Sequence, residues 1–171
     1  MRKLIVAVAV GAAAWPAAAL AQTPSPSPNP SQQCRAQRTA MGTAAFAQLY
    51  GTNAGRTNAF GACVSKIARA QRAEHSGAVA ACRAERSTDA TAFANKYGTG
   101  PKKRNAFGKC VSTKARAAAE ARQAATINAA RTCRAERKAL GASAFAAKYG
   151  TNRNKRNAFG KCVAQKVSQA G

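Results

Sequence analysis

One cysteine-bounded unit occurs three times in this chain, and this repetition limits the possible folds more than any other sequence feature. The copies occupy residues 34–64, 82–111 and 133–163 and are called units 1, 2 and 3. Each opens with Cys-Arg-Ala-x-Arg, continues through Phe-Ala-x-x-Tyr-Gly-Thr and closes with Asn-Ala-Phe-Gly-x-Cys-Val. The step from the Tyr to the second Cys is thirteen residues in every copy. Such fixed spacing indicates a tandem array of similar structural units.

The six cysteines fall into one pair per unit, which favours disulfide bonds inside the units. The expected pairs are Cys34–Cys63, Cys82–Cys110 and Cys133–Cys162. Pairing across the connections, Cys63 with Cys82 and Cys110 with Cys133, is the main alternative. A helical connection would hold those cysteines roughly 28 Å or more apart, beyond the reach of a disulfide. A zinc site is a less favoured interpretation, because the sequence has no CxxC motif and a single histidine, His75. We expect neither a metal nor a cofactor.

The N-terminal residues indicate export. Residues 1–21 are typical of a signal peptide, with Arg2 and Lys3 before an apolar run and Ala-Leu-Ala before Gln22. A retained membrane anchor is the alternative, since the run is nearly long enough to span a bilayer. Pro16 and the small residues favour cleavage. We therefore expect a secreted, periplasmic or cell-envelope protein with no transmembrane segment in its mature part.

The rest of the chain divides into a linker, repeats and connections. Residues 22–32 are rich in Pro and Ser and favour an extended polyproline II spacer. The repeats are expected at 33–71, 82–118 and 133–169, with connecting helices at 72–81 and 119–132. The connections are Ala-rich and contain no Pro, so both predict helix. The predicted fold is an all-α array of three disulfide-stapled helical repeats joined by Ala-rich helices. Because large apolar residues are sparse in the connections, we expect limited contact between the units.

Each unit is expected to form a helix, a turn, a short helix, a seven-residue loop and a final helix. Three sets of residues mark the boundaries. The expected N-caps of the short helix are Asp89 and Ser143. The expected left-handed C-caps are Gly51, Gly98 and Gly150. The expected N-caps of the final helix are Asn58, Asn105 and Asn157. Three aromatic residues per unit predict a miniature core, and a base-stacking platform is the alternative.

The repeated motif resembles a group of secreted bacterial proteins that carry tandem CxAER…FxxKYGT…NAFGKCV units. The resemblance covers roughly residues 33–169 and implies export and disulfide bonding, but it brings no activity with it. Unit 1 departs from the pattern, with Gln37 in place of the Glu and a loop poor in Lys. The resemblance therefore implies no shared role at those positions for unit 1.

No constellation of residues indicates catalysis, and we expect the protein not to be an enzyme. His75 lies outside the units, and the sequence has no nucleophile elbow, P-loop or HExxH motif. Glu85 and Glu136 lie between arginines, where solvated ion pairs on a helix explain them. The cysteines are better explained as disulfide partners than as nucleophiles.

Positive charge is the strongest functional signal. The formal charge is +23, and removing the leader with its two cations leaves +21. In units 2 and 3 the cations cluster in the loop just before a helix, and a helix N-terminus attracts anions. A solvated basic loop that serves solubility is the alternative. The candidate anion-binding residues are Arg56, Lys102, Lys103, Arg104, Lys109, Arg153, Lys155, Arg156 and Lys161.

These features predict a non-enzymatic protein that binds anionic polymers such as an envelope polymer, an acidic polysaccharide or extracellular nucleic acid. Because no sequence-reading motif is present, nucleic acid would be bound without base selectivity. The alternative is a structural or spacer protein of the cell envelope whose charge serves solubility or retention. An inhibitor or toxin-like module that contacts a protein through its loops is a third class.

Overall fold

The computed structural model describes residues 29–169, which form seven helices and contain no strand. The helices are α1 Pro30–Met41, α2 Thr43–Tyr50, α3 Ala59–Thr88, α4 Ala90–Tyr97, α5 Ala106–Leu140, α6 Ala142–Tyr149 and α7 Ala158–Gln169. The expected signal peptide at 1–21 lies outside the described residues, as does most of the expected linker. Within residues 29–169, no helix combines the length and apolar character needed to cross a membrane.

Helix α1 begins inside the segment expected to be an extended linker. The Asn29 side chain accepts a hydrogen bond from the Gln32 backbone N–H, and the Gln32 side chain accepts one from the Asn29 N–H. Pro30 occupies the first turn, where its missing N–H removes no helical hydrogen bond. This capping box overrides the polyproline II preference of the preceding residues, so residues 30–32 are helical.

The turns before the short helices differ between units. In unit 2, Asp89 caps α4 as predicted and accepts hydrogen bonds from the N–H groups of Thr91 and Ala92. In unit 3 the prediction for Ser143 is wrong, because α6 begins at Ala142 and places Ser143 inside the helix. Gly141 has a φ of 79°, and this left-handed residue reverses the chain immediately before α6. Gly42 performs the same reversal in unit 1 with a φ of 81°.

The two long helices carry the chain from one unit to the next, as predicted. Helix α3 has 30 residues and α5 has 35, which correspond to lengths of about 45 Å and about 52 Å. The three predicted disulfides are confirmed, each with its Cα atoms 6.0 to 6.1 Å apart. Cys82–Cys110 joins the end of α3 to the start of α5, so α5 returns antiparallel alongside α3. The two helices thus form a hairpin with unit 2 at its tip.

The expectation of limited contact between units is wrong for units 1 and 3. Because of the hairpin, unit 3 returns to unit 1, and the two share one hydrophobic core, whereas unit 2 has a small core of its own. The contact along the hairpin relies on small residues. The buried alanines of the two helices are Ala59, Ala78, Ala106, Ala119, Ala129 and Ala130. Their short side chains let the helices pack closely without the Leu or Ile seam that a coiled coil requires.

Arginines of α5 add polar contacts that hold the hairpin to unit 1. The Arg122 guanidinium lies 2.5 Å from a Glu74 carboxylate oxygen on α3 and donates to the Gln33 side chain on α1 at 3.2 Å. Arg134 donates to the Met41 carbonyl at 2.8 Å. Arg137 donates to the Gln48 side chain, also at 2.8 Å. Three α-helical segments of unit 1 and its connection are thereby fixed against one returning helix.

The aromatic residues form the cores of the units, as predicted from the sequence. In each unit the Phe and Tyr of the short helix lie with ring centroids 4.9 to 5.0 Å apart. The Phe of this pair is 2 to 3% exposed in all three units. Rings buried in this way are not available to stack on an external base.

Candidate anion-binding site

The three predicted basic loops adopt one conformation, which an asparagine fixes. They occupy residues 51–57, 98–104 and 150–156 and are called loops 1, 2 and 3. The Asn after each loop accepts a hydrogen bond from the N–H of the loop's Thr at 2.9 to 3.1 Å. It also donates through its side-chain amide to the hydroxyl of that Thr. The pairs are Asn58 with Thr52, Asn105 with Thr99 and Asn157 with Thr151.

The predicted cap positions are confirmed for Asn58 and Asn105, but their side chains close the loops instead of capping the helices. Asn58 and Asn105 hold the N-cap positions of α3 and α5, but neither side chain bonds a first-turn N–H. Asn157 precedes α7 and makes the same loop contacts. The first turns of α3 and α5 therefore carry N–H groups that no capping side chain satisfies, which is the feature of a helix start that favours anions.

The glycine that opens each loop is a C-cap as predicted, but its conformation differs from the predicted one. Gly51, Gly98 and Gly150 end α2, α4 and α6 with φ values of −69°, −75° and −74° and are extended, so the expected left-handed conformation is wrong. A Cβ atom at Gly98 would lie 2.5 Å from both the Ala94 carbonyl oxygen and the Lys103 Cβ. The glycine is needed because the loop folds back against it.

The residue that folds back is a cation in each loop, and it is this residue that is left-handed. Arg56, Lys103 and Lys155 have φ values of 57°, 47° and 53°. Their side chains turn toward their own unit. Arg56 reaches the Ala47 carbonyl, Lys103 the Asn95 side chain, and Lys155 the Gly150 carbonyl. These three members of the predicted anion-binding set therefore shape the loops first, and the other members present charge outward.

The outward members lie at two places on the molecule. Lys102 and Arg104 are exposed at the tip of the hairpin, with the half-buried Lys109 in the first turn of α5. Arg153, Arg156 and Lys161 are exposed in unit 3. The fold brings loop 3 against loop 1 and leaves loop 2 apart from both, so the nine predicted residues form two groups.

Loops 1 and 3 are joined by a reciprocal pair of arginine contacts. Arg56 donates to the Arg156 carbonyl at 2.6 Å, and Arg156 donates to the Ala54 carbonyl at 2.7 Å. Burial lowers the pKa of Arg56 from its ordinary value, and the nearby charges of Arg156 and Arg137 lower it further. Two guanidinium groups held together on carbonyls make this junction a concentrated source of positive potential.

A groove of about 690 Å³ lies between loops 1 and 3 and is called the basic groove. Four cations line it, namely Arg56, Lys66, Arg156 and Lys161, and no carboxylate does. Lys66 is absent from the predicted set because it lies in α3, seven residues beyond the helix start. It lies over the Tyr50 ring beside loop 1, and the return of unit 3 completes the groove around it, so no local sequence signal marks it.

The acidic residues are occupied elsewhere, which leaves the loop charges uncompensated. Hydrogen bonding from Lys96, together with Lys114 and Tyr97, lowers the pKa of Glu85 to about 2. In unit 3, Lys148 and Tyr149 lower the pKa of Glu136 in the same way. These lysine and tyrosine partners replace the predicted pairs with flanking arginines. Glu74 and Glu120 pair with Arg122 and Arg116, and Asp89 caps α4.

Unit 1 has Gln37 where the other units have that glutamate, and burial explains the difference. Gln37 is fully buried, and its side-chain oxygen accepts the Tyr50 hydroxyl hydrogen at 2.5 Å. Burial raises the pKa of Tyr50 to about 12, so this hydroxyl stays protonated. A carboxylate in the same place would carry a charge into the shared core of units 1 and 3, at a cost that neutral Gln avoids.

The residues with catalytic or metal-binding chemistry are scattered. Within residues 29–169, no group of three His, Cys, Asp or Glu side chains is placed to hold a metal ion. His75 is exposed on α3. All six cysteines are in disulfides.

Comparison of this chain with protein-family models, with curated proteins and with solved structures gives no match in any of the three.

Proposed function

We propose that this protein is an exported, non-enzymatic binder of anionic polymers and that its basic loops carry the binding. The suggested partner is an envelope polymer, an acidic polysaccharide or extracellular nucleic acid, held by charge and without base selectivity. The disulfides support this location, since such bonds persist in oxidising compartments.

The observation that carries the proposal is the separation of the charges. Every acidic side chain of residues 29–169 has an intramolecular partner, whereas none of the nine predicted anion-binding cations forms an ion pair within that range. An uncompensated cation in water holds a mobile counterion atmosphere, and a polyanion gains free energy by replacing it. Loops 2 and 3 each hold three such cations within seven residues.

The start of α5 adds a second attraction for an anionic group. The first turn of this helix has no capping side chain, and a Cβ at Gly108 would meet no atom within 4 Å. An anion can thus approach the helix N–H groups while Arg104 and Lys109 lie beside it in sequence. Backbone N–H groups and side-chain cations together favour phosphate or sulfate oxygens.

The hairpin places the two cationic groups at opposite ends of α3. One group is at the tip in unit 2, and the other is the basic groove between units 1 and 3. Since α3 is about 45 Å long, a polymer can contact both groups, whereas a small anion contacts only one. Two linked sites raise the affinity for a long chain above that of either site.

The test compares two variants that lose the same number of positive charges. One, the loop variant, carries Gln at the exposed or half-buried cations of loops 2 and 3 and of the helix turns that follow them, namely Lys102, Arg104, Lys109, Arg153, Arg156 and Lys161. The control carries Gln at the exposed helix positions Arg38, Arg69, Arg72, Arg83, Arg131 and Lys138. Affinity for duplex DNA and for a sulfated polysaccharide is measured as a function of salt.

We expect the loop variant to lose most of its affinity and to show a shallower dependence of log K on log salt. The helix variant should retain most of its affinity and most of its salt dependence. Equal losses of affinity in the two variants would contradict binding by the loops. Binding would then be explained by the overall positive charge alone. Weak binding by the unaltered protein at moderate salt would contradict the proposal as a whole. It would favour the structural or spacer role, in which the charge serves solubility or retention.

A further inference from the structure

A second cavity lies directly behind the basic groove and is called the apolar cavity. It has a volume of about 320 Å³ and lies between α2, α3, α5 and α7. Its apolar walls come from both paired units, with Leu49, Tyr50 and Ile67 on one side and Val163 and Val167 on the other. It exists only because unit 3 packs against unit 1.

The apolar cavity and the basic groove adjoin each other. Four residues line both spaces, namely Leu49, Lys66, Gly160 and Ala164. The Lys66 ammonium is within 5.7 Å of the Tyr50 ring centroid, so one cation lies where the polar and apolar walls meet. A molecule placed across this boundary would meet cations at one end and aliphatic side chains at the other.

The unpaired charges that line the two spaces are all positive. Lys66 lines both spaces, while Arg56, Arg156 and Lys161 line the groove alone. Arg122 also lines the apolar cavity, but Glu74 neutralises it. No carboxylate lines either space among the described residues. The charge complementarity therefore selects an anionic head, and the adjoining apolar walls select a hydrocarbon chain or ring attached to it.

We propose that the space between units 1 and 3 is a binding site for one small anionic amphiphile. Its carboxylate, sulfonate or phosphate lies in the basic groove, and its apolar part enters the apolar cavity. This proposal goes beyond polymer binding, because it assigns the apolar cavity a ligand that need not be polymeric.

Unit 2 lacks this site, although it is built from the same motif. The positions of Leu49 and Ile67 are occupied there by Lys96 and Lys114, both paired with Glu85. No other unit packs on unit 2 to close a cavity over it. The chain should therefore bind one amphiphile, and unit 2 supplies matched control positions.

The first test uses anilinonaphthalene sulfonate, whose fluorescence rises when it leaves water. Phenylnaphthylamine, which has the same rings without the sulfonate, measures the contribution of the charge. Ala164→Phe fills the space where groove and cavity meet, and Ser112→Phe places the same side chain at the equivalent exposed position of unit 2. Circular dichroism and polyanion affinity check that both variants remain folded.

We expect one strong site per chain for the sulfonate and weaker binding of the uncharged probe. Ala164→Phe should weaken sulfonate binding about tenfold or more, while Ser112→Phe should leave it unchanged. Polyanion binding should survive in both variants, so the two proposals fail separately. Many equivalent sites, or an equal effect of the two substitutions, would overturn the amphiphile site.

A second pair of variants tests the charged wall. Arg156→Gln with Lys161→Gln removes two groove cations, and Arg104→Gln with Lys109→Gln removes their counterparts in unit 2. The first pair should weaken sulfonate binding and the second should not. Dodecyl phosphate below its micelle concentration should displace the probe, and inorganic phosphate at equal concentration should not. Equal displacement by both phosphates would overturn the need for the apolar cavity.

Discussion

At the scale of single residues, each loop is built around a left-handed cation. Arg56, Lys103 and Lys155 adopt a conformation that costs a non-glycine residue roughly 1–2 kcal/mol. The backbone N–H of each is bonded within its own loop at 3.0 to 3.3 Å, and the loop asparagine fixes the neighbouring turn. The strain is therefore maintained by contacts that a flexible loop would not have.

The close approach at Gly98 predicts a strong effect of one added methyl group. Gly98→Ala should destabilise unit 2 by about 1–3 kcal/mol, because the new Cβ would overlap a carbonyl and the Lys103 side chain. Gly108→Ala is the matched control, since its Cβ would meet nothing and alanine favours helix by up to about 1 kcal/mol. Urea unfolding of the two variants measures the difference. Similar stabilities would contradict the fold-back of loop 2.

At this scale the sequence identifies the residues that shape the loops but predicts only part of their structural role. The repetition marks Gly98 and Asn105 as important, and local rules assign both to helix ends. The structure instead uses them to close a loop, because Asn105 finds a nearer partner in Thr99 than in its own helix. A helix cap and a loop closure require the same residue types, so motif rules alone do not distinguish them.

At the scale of helices, the disulfides act on units that differ in how much core surrounds them. The sequence separations are 28 residues in unit 2 and 29 in units 1 and 3. Loop closure therefore gives each bond nearly the same contribution, about 3.6 kcal/mol in the chain-entropy model. Unit 2 has a small core of its own, whereas Cys133–Cys162 lies within the shared core. The effect of removing a disulfide on stability should therefore differ between unit 2 and the paired units 1 and 3.

Removing one disulfide at a time should expose that difference. Cys82→Ala with Cys110→Ala should unfold loop 2 and α4 while units 1 and 3 stay folded, since the shared core does not depend on unit 2. Cys133→Ala with Cys162→Ala should instead lower the stability of units 1 and 3 together. Amide hydrogen exchange, resolved by residue, measures both effects. Uniform loss of protection in the unit 2 variant would contradict independent cores.

The helices themselves were predictable, and their packing was not. Alanine content and the absence of proline predict both long helices. The hairpin is not visible in the same residues, because alanine is common on exposed helix faces as well as in close helix contacts. Arg122 and Glu74 mark the contact, but they lie 48 residues apart and resemble ordinary surface charges in the sequence.

At the scale of the whole molecule, the departures of unit 1 from the repeat are explained by its contact with unit 3. Unit 1 has Gln37 for Glu and Leu49 for Lys: Leu49 packs against the core shared with unit 3, and the buried Gln37 bonds Tyr50, which belongs to that core. These changes remove charge where the shared core and the apolar cavity form. Unit 2 keeps the charged residues, because its corresponding surface stays in water.

The shared core predicts that a destabilising substitution in unit 3 also destabilises unit 1. Phe145→Ala should lower the free energy of unfolding of both units by about 3–5 kcal/mol. Phe93→Ala removes an equally buried ring from unit 2 and should affect that unit alone. Hydrogen exchange in α2, compared between the two variants, measures the coupling. Equal protection of α2 in both would contradict the pairing of units 1 and 3.

The pairing of the first and last units also limits how this gene could lengthen or shorten. In a solenoid every repeat contacts only its neighbours, so gain or loss of an internal repeat leaves the other contacts intact. Here the hairpin reverses the direction of the chain once, and each end of the array has a specific mate. A change in copy number that moved unit 3 away from unit 1 would expose the surface that the two units bury together, so the copy number of this gene should change less freely than that of a solenoid.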